Sequence, residues 1–196
     1  MSDPVDKTTI QIRAATVRDV SAMLQIINDY AAGQVMLSRS PLSLYENLRD
    51  FLVADREGEI LGCGALHVVW GDLAEIRSIA VRPNMKGQGL GMRLAQSLLE
   101  QAGALLLPRV FAFTYSPGFF HKLGFREVTH NELPHKVFGD CLNCPKFNAC
   151  DEIAMLLELD TIPDDTPKTG PLSRGIPGLF QGPFPTKPTG QPDDRG

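Results

Sequence analysis

The run Val81-Arg82-Pro83-Asn84-Met85-Lys86-Gly87-Gln88-Gly89-Leu90-Gly91 is where this sequence is best equipped for chemistry. An apolar stretch, Ile76 to Val81, leads into it, and an amphipathic helical pattern follows. Glycines at 87, 89 and 91 allow successive backbone N–H groups to face one ligand at a helix start. Orphan amides and the helix dipole bind anions there without a charged side chain, which points to a phosphate-bearing ligand. Two nucleotide loops do not fit. A Walker loop needs Gly-Lys-Ser/Thr, and here Met92-Arg93 follows Gly91. A dinucleotide loop needs Gly-x-Gly-x-x-Gly after the first strand and an acid about 20 positions on. Here the spacing is Gly-x-Gly-x-Gly, and Glu100 falls too early, inside the helix. A tight turn with no ligand would not require three such glycines, because each costs backbone entropy.

Glu75 and Arg77 share one face of the preceding strand by period-two alternation. A carboxylate so placed can serve as a general base, or simply lie on a surface strand. Cys63 stands alone in an apolar segment and reads as a buried, inert thiol. Cys141, Cys144 and Cys150 form a C-x2-C-x5-C cluster. Three thiolates with His135 or Asp140 as fourth ligand would suit zinc. The second Cys-x-x-Cys pair of a four-cysteine signature is absent, so a thiol loop without metal is the preferred expectation.

These residues need a scaffold. Ile10–Arg13 alternates as a first strand. Thr16-x-x-Asp19 resembles a capping box ahead of a helix carrying Val20, Met23, Leu24, Ile27 and Tyr30 on one side. Ser40-Pro41 starts a second helix, with Leu44 and Leu48 inward. Phe51–Asp55, a turn at 56–59 and Ile60–Val69 form a hairpin, and Ala74–Val81 adds a third strand. Leu90, Leu94, Ala95, Leu98, Leu99 and Ala102 recur at helical spacing, with Gly103 placed to end the helix. Val110–Thr114 (strand), Pro117–Leu123 (short helix), Phe125–Val128 (strand) and Ile153–Leu159 (strand) follow. The order is β-α-α-β-β-β-α-β-α-β-β, a mixed α/β domain over residues 1–160. Residues 161–196 are rich in proline and glycine and read as a disordered tail.

At 196 residues and a formal charge of −4, the chain supports one well-buried core and carries no basic stripe suited to nucleic acid. No apolar run is long enough to span a bilayer, and the N-terminus lacks a signal-peptide layout. A cytoplasmic location, with no membrane partner, is expected. A homodimer is left open.

Lys86-Gly-Gln-Gly-Leu-Gly91 after Ile79-Ala-Val-Arg-Pro83 resembles the acyl-CoA loop of the GNAT superfamily of N-acetyltransferases. Lys86 stands where that pattern has arginine or glutamine. The resemblance implies a mixed, mostly antiparallel sheet flanked by helices, with acetyl-CoA as co-substrate. It implies that Ile79, Ala80 and Val81 line the pantetheine arm, and that Lys86, Gly87, Gln88, Gly89, Leu90 and Gly91 hold the pyrophosphate. A strand N–H would polarise the thioester carbonyl. Glu75 occupies a position where many members carry a glutamate, and so becomes the candidate base. Many members protonate the leaving thiolate with a tyrosine where this chain has Phe120. Tyr115 is the nearby substitute, with solvent as the alternative.

Ala74-Glu-Ile-x-x-Ile-Ala-Val-x-Pro83, Leu37-x-Arg39-Ser40, Leu133-Pro134-x-Lys136 and the cysteine-bearing ending resemble the acetyltransferase domain of N-acetylglutamate synthases, in its short stand-alone form. That resemblance implies acetyl transfer to the α-amine of L-glutamate, the first step of arginine biosynthesis. Arg39, Ser40, Arg77 and Ser116 are the candidate acceptor contacts, the arginines facing carboxylates. Where long-form synthases often have arginine before this segment, the chain has Tyr115-Ser116. Two alternatives stay open: transfer to another small amine or a protein N-terminus, and a weakly catalytic CoA-binding regulator with a metal- or redox-sensing cysteine loop.

Overall fold

The computed structural model describes residues 9–133 and 150–159. The expected tail, together with Cys141, Cys144, His135, Asp140, Pro134 and Lys136, lies outside the described residues. The elements are β1 (Gln11–Ala14), α1 (Val20–Ala32), α2 (Pro41–Glu46), β2 (Phe51–Arg56), β3 (Glu59–Trp70) and β4 (Leu73–Val81). They continue as α3 (Leu90–Ala104), β5 (Arg109–Thr114), α4 (Pro117–His121), β6 (Arg126–Val128) and β7 (Ile153–Glu158). Their order is the one read from the sequence.

The strands form one mixed sheet in the order β1-β2-β3-β4-β5-β7-β6. Every pairing is antiparallel except β4 with β5. That pair is parallel because α3 is the crossover between them, as a parallel connection requires. The β2–β3 hairpin turns through Glu57 (φ 53°) and Gly58 (φ 88°), both left-handed, which matches the twist of the flanking strands.

Two helical layers cover the sheet. Val20, Met23, Ile26 and Ile27 of α1 and Leu44 of α2 pack on Phe51, Val53, Cys63, Ala65 and Ala80. On the other face Leu90 and Leu94 of α3 meet Ala54 and Leu61, and Leu98 and Ala102 meet Leu66, Ala74, Ile76 and Val110. Burial of Cys63 pushes its thiol up to about 12, so it is chemically inert.

Two local expectations need correction. The α1 helix begins only at Val20, one turn after Thr16. Half of the capping box exists: the Asp19 carboxylate accepts from the Thr16 N–H (2.7 Å) and hydroxyl (2.9 Å). It also accepts from both Arg13 Nη atoms, at 2.7 and 3.0 Å, and this ion pair holds the entry to α1. Nor does Gly103 end α3. The helix runs to Ala104, and Leu106 adopts the left-handed conformation (φ 57°) instead. Leu107 N–H donates to the Ala102 carbonyl and Leu106 N–H to that of Gly103, a Schellman closure built without glycine.

A β-bulge interrupts β4. Cys63 pairs with Ala80 and Ala65 with Arg77, so Gly64 alone faces Ser78 and Ile79. Ser78 carries the extra residue at φ 55°. Packing is tight opposite it: a Cβ on Gly64 would lie 3.1 Å from Ile79 Cγ1 and from Leu98 Cδ1.

Candidate active site

The bulge divides β4 into two functional halves. Its first half pairs with β5 only at Ala74–Val110 and Glu75–Phe111. Beyond Glu75 the two strands diverge, while β5 stays paired with β7 along Arg109–Thr114. Among the described residues, no strand therefore pairs with the edge of Ile76–Val81 that faces away from β3. A wedge opens there between β4 and β5, with the β4 edge along one wall. An extended amide-bearing chain can enter such a wedge and bond as an added strand.

The glycine turn closes the far end of the wedge. A single turn, Pro83–Met85, follows Arg82, and Gly87 (φ 76°) and Gly89 (φ 77°) are both left-handed. Nothing lies within 4 Å of a Cβ built on either, so this surface is open to a ligand. The first bond of the helix cap runs from Arg93 N–H to the Gly89 carbonyl, at 3.0 Å. The amides of Leu90, Gly91 and Met92 consequently have no intrahelical acceptor. Gly91 differs in that a Cβ built on it would make an ordinary contact, 3.6 Å, with Phe119 Cε2. Lys86 Nζ sits 4.4 Å above the Tyr30 ring, and the Tyr30 hydroxyl donates to the Val81 carbonyl at 2.9 Å. Tyr30 thus ties α1, the end of β4 and the loop cation together. Gln88 Nε2 donates to the Asn84 carbonyl at 2.7 Å and braces the turn.

Glu75 is buried, with 6 % of its surface exposed, on the β4 face toward α1 and α2. It pairs across the sheet with His67. Arg77 lies on the same face and donates to Asn47 Oδ1 at 3.3 Å, with Asp50 Oδ2 at 3.7 Å. Arg39 reaches this face from the α1–α2 connection. Asn28 clamps its backbone, donating to the Arg39 carbonyl (3.1 Å) and accepting from its N–H (3.0 Å). Arg39 Nε points at Ser78 Oγ, 3.4 Å away, directly at the bulge. Ser40 Oγ accepts from the Ser43 N–H at 3.1 Å and caps α2. Glu75 and Arg77 thus share one face of β4, and Arg39 reaches the same strand at Ser78, beside the wedge.

Tyr115 and Ser116 follow β5 and are exposed. The Tyr115 hydroxyl donates to Asp151 Oδ1 at 2.7 Å, and the Ser116 N–H donates to Thr114 Oγ1 at 2.9 Å. Phe120 is a core residue, edge-on to Phe119 and Phe125 at 5.1 and 5.2 Å. His121 is on the surface, 3.2 Å from Glu127. Cys150 is a free thiol, and among the described residues no three His, Cys, Asp or Glu converge as a metal site. Also among them, no helix is long and apolar enough to cross a membrane. The sequence reading missed Asn28, Asn47, Asp50, His67 and Ser78. Asn28, Asn47, Asp50 and His67 lie outside the motif and no periodicity links them to it, and Ser78 matters through a left-handed backbone that its residue type does not announce.

A divergent β4–β5 pair ending in a glycine turn at a helix start defines an acyltransferase that takes its acyl group from coenzyme A. The chain belongs to the acetyltransferase (GNAT) family, whose model matches residues 21–125, and transfers acetyl from acetyl-CoA. It is 40 % identical over 151 residues to an uncharacterized N-acetyltransferase of Chlorobaculum tepidum, covering 76 % of this chain and 96 % of that one. It is 41 % identical over 132 residues to an amino-acid acetyltransferase of Mycobacterium tuberculosis, covering 66 % of this chain and 75 % of that one. Among solved structures, N-acetylglutamate synthase from Neisseria gonorrhoeae, complexed with coenzyme A and N-acetyl-glutamate, superposes with a TM-score of 0.70 at 25 % identity. That likeness covers 78 % of this chain and 35 % of the larger protein.

Proposed function

We propose that the chain acetylates the α-amine of L-glutamate. The carrying observation is the convergence of Glu75, Arg77 and the clamped Arg39 on the β4 face beside the wedge. The resemblance to an amino-acid acetyltransferase and to a synthase holding N-acetyl-glutamate supports the same acceptor. In this reading the loop amides from Gly87 to Gly91 hold the pyrophosphate and Lys86 adds charge. The Ile79–Val81 edge holds the pantetheine arm. Glu75 removes the ammonium proton, and the amine attacks the thioester. Tyr115 returns a proton to the departing thiolate. Arg39 takes a carboxylate of the acceptor, and Ser40 and Ser116 border it.

A second reading has its own support. Arg77 is engaged with Asn47 and Asp50. An Arg77 given to that turn would not contact the acceptor, which suits an amino acid bearing one carboxylate. An amine panel assayed by thiol release from acetyl-CoA separates the two. Glutamate dominating kcat/KM upholds the first reading, and a singly charged amino acid dominating upholds the second. Glu75→Gln tests the base: kcat should fall roughly 100-fold or more. Undiminished turnover removes Glu75 from that role.

A further inference from the structure

The reaction has a proton to dispose of. An ammonium and a thioester give an amide, a free thiol and one net proton at each turnover. Glu75, the proposed base, is buried and cannot shed that proton directly to bulk water. Its cross-strand partner is His67, in uninterrupted register between Leu66–Ile76 and Val68–Ala74. Opposed side chains on an antiparallel pair lie about 5 Å apart at Cβ, within reach directly or through one water. The His67 side chain is 35 % exposed, so a residue directly opposite the buried base also reaches solvent. Its Nδ1 lies 2.6 Å from Asp50 Oδ2. A carboxylate accepts from Nδ1–H and fixes the tautomer in which Nε2 is the acceptor. The charged groups around the ring are Asp50 from the turn at 48–50 and Glu75 and Arg77 from β4.

We infer that His67, oriented by Asp50, carries the acceptor's proton from Glu75 to solvent. The steps balance. The ammonium N–H bond breaks and the proton joins Glu75. Glu75 passes it to His67 Nε2, forming an imidazolium beside Asp50. The imidazolium releases it to water or buffer, and both groups return to their starting state. This role rests on Glu75 being the base.

The test uses the full chain, the best acceptor of the panel, and thiol release followed against pH. In His67→Gln, kcat should fall roughly tenfold to a hundredfold while KM for acetyl-CoA stays unchanged. Added imidazole should restore kcat in proportion to its concentration. Asp50→Asn should give a smaller, likewise rescuable, loss. It serves as the deciding variant if His67→Gln fails to fold. Turnover within about twofold of wild type, a loss confined to KM, or a loss that imidazole leaves untouched overturns the relay. An inactive Glu75→Gln beside an unimpaired His67→Gln removes the relay alone. A fully active Glu75→Gln removes base and relay together.

Discussion

Gly89 and Gly58 make a matched pair for testing the loop. Both are left-handed, at φ 77° and 88°, and neither has an atom within 4 Å of a built Cβ. An alanine at either site meets the same backbone strain and no steric clash. The left-handed penalty is about 1–2 kcal/mol, offset by about 0.4–1 kcal/mol of lost unfolded-state entropy. Each variant should therefore lose roughly 1 kcal/mol, or about 2–4 °C of Tm for a chain of this size. Their functional consequences should diverge. Gly58 sits in the β2–β3 turn, whereas the Gly89 Cβ would stand at the N-cap of α3, where the proposed function places the pyrophosphate. Losing one charge-assisted amide bond costs about 1.5–3 kcal/mol, which is roughly tenfold to a hundredfold in Kd. Calorimetric titration with CoA, beside thermal melts of both variants, reads the two effects separately. Equal Kd values for Gly89→Ala, Gly58→Ala and wild type would refute the assignment of the loop. A larger Kd in both variants alike would mean that general loosening, not the loop, governs binding.

Three further outcomes are expected. The hydrogen bonds from Arg13, then those from Thr16, hold the Asp19 carboxyl down at about 2 against an ordinary 3.8. A depressed carboxyl stabilises above its unfolded value and loses that contribution as pH falls through its folded one. Asp19→Asn should therefore cost about 2 kcal/mol at neutral pH, and urea melts should show the gap closing below about pH 4. Gly62→Ala would bring a Cβ to 2.9 Å from the Ala80 carbonyl oxygen and from Val81 Cγ1, so it should lose about 1–3 kcal/mol in the same melts. Gly71→Ala, with open space, is its control and should melt near wild type. Ser78→Gly should keep the bulge and raise stability by a few tenths of a kcal/mol, whereas the β-branched Ser78→Val should lower it by about 1–2 kcal/mol. Reversal of that order would mean that the left-handed backbone at Ser78 is not what limits the site.

Much of this architecture was legible because its signals are local. Ser40-Pro41 announces a capped helix start in four residues, and the structure shows that cap. The α3 stripe from Leu90 to Ala102 repeats often enough to survive one wrong guess about its end. Gly103 does not end the helix because the closure places its left-handed residue at Leu106, and the nearby glycine stays inside the helix. Two of the loop glycines, Gly87 and Gly89, were legible as such because their backbone takes positive φ at alternate positions, which favours glycine. The polar support around Arg39 and His67 was not legible. Asn28 lies 11 residues from Arg39, and Asp50 lies 17 residues from His67. No periodicity links such pairs. They meet only because α1 and the turn before β2 pack over the same face of β4.

The bulge at Ser78 is what would let one strand serve both substrates of the proposed reaction. Strict alternation would send every second residue of β4 to the same layer. Before the bulge, Ala74 and Ile76 pack toward α3, and Glu75 and Arg77 face α1 and α2. After it the parity is reversed: Ala80 packs with the α1 layer, while Ile79 and Val81 pack toward α3. One inserted residue thus keeps both halves of the strand in register with their own helical layer. It also bends the strand away from β5, which opens the wedge just past Glu75. Under the proposed function, Glu75 before the bulge and the Ile79–Val81 edge after it are therefore placed by a single backbone feature. Arg39 points at that feature, so in that reading the acceptor's carboxylate is held at the point where the wedge begins.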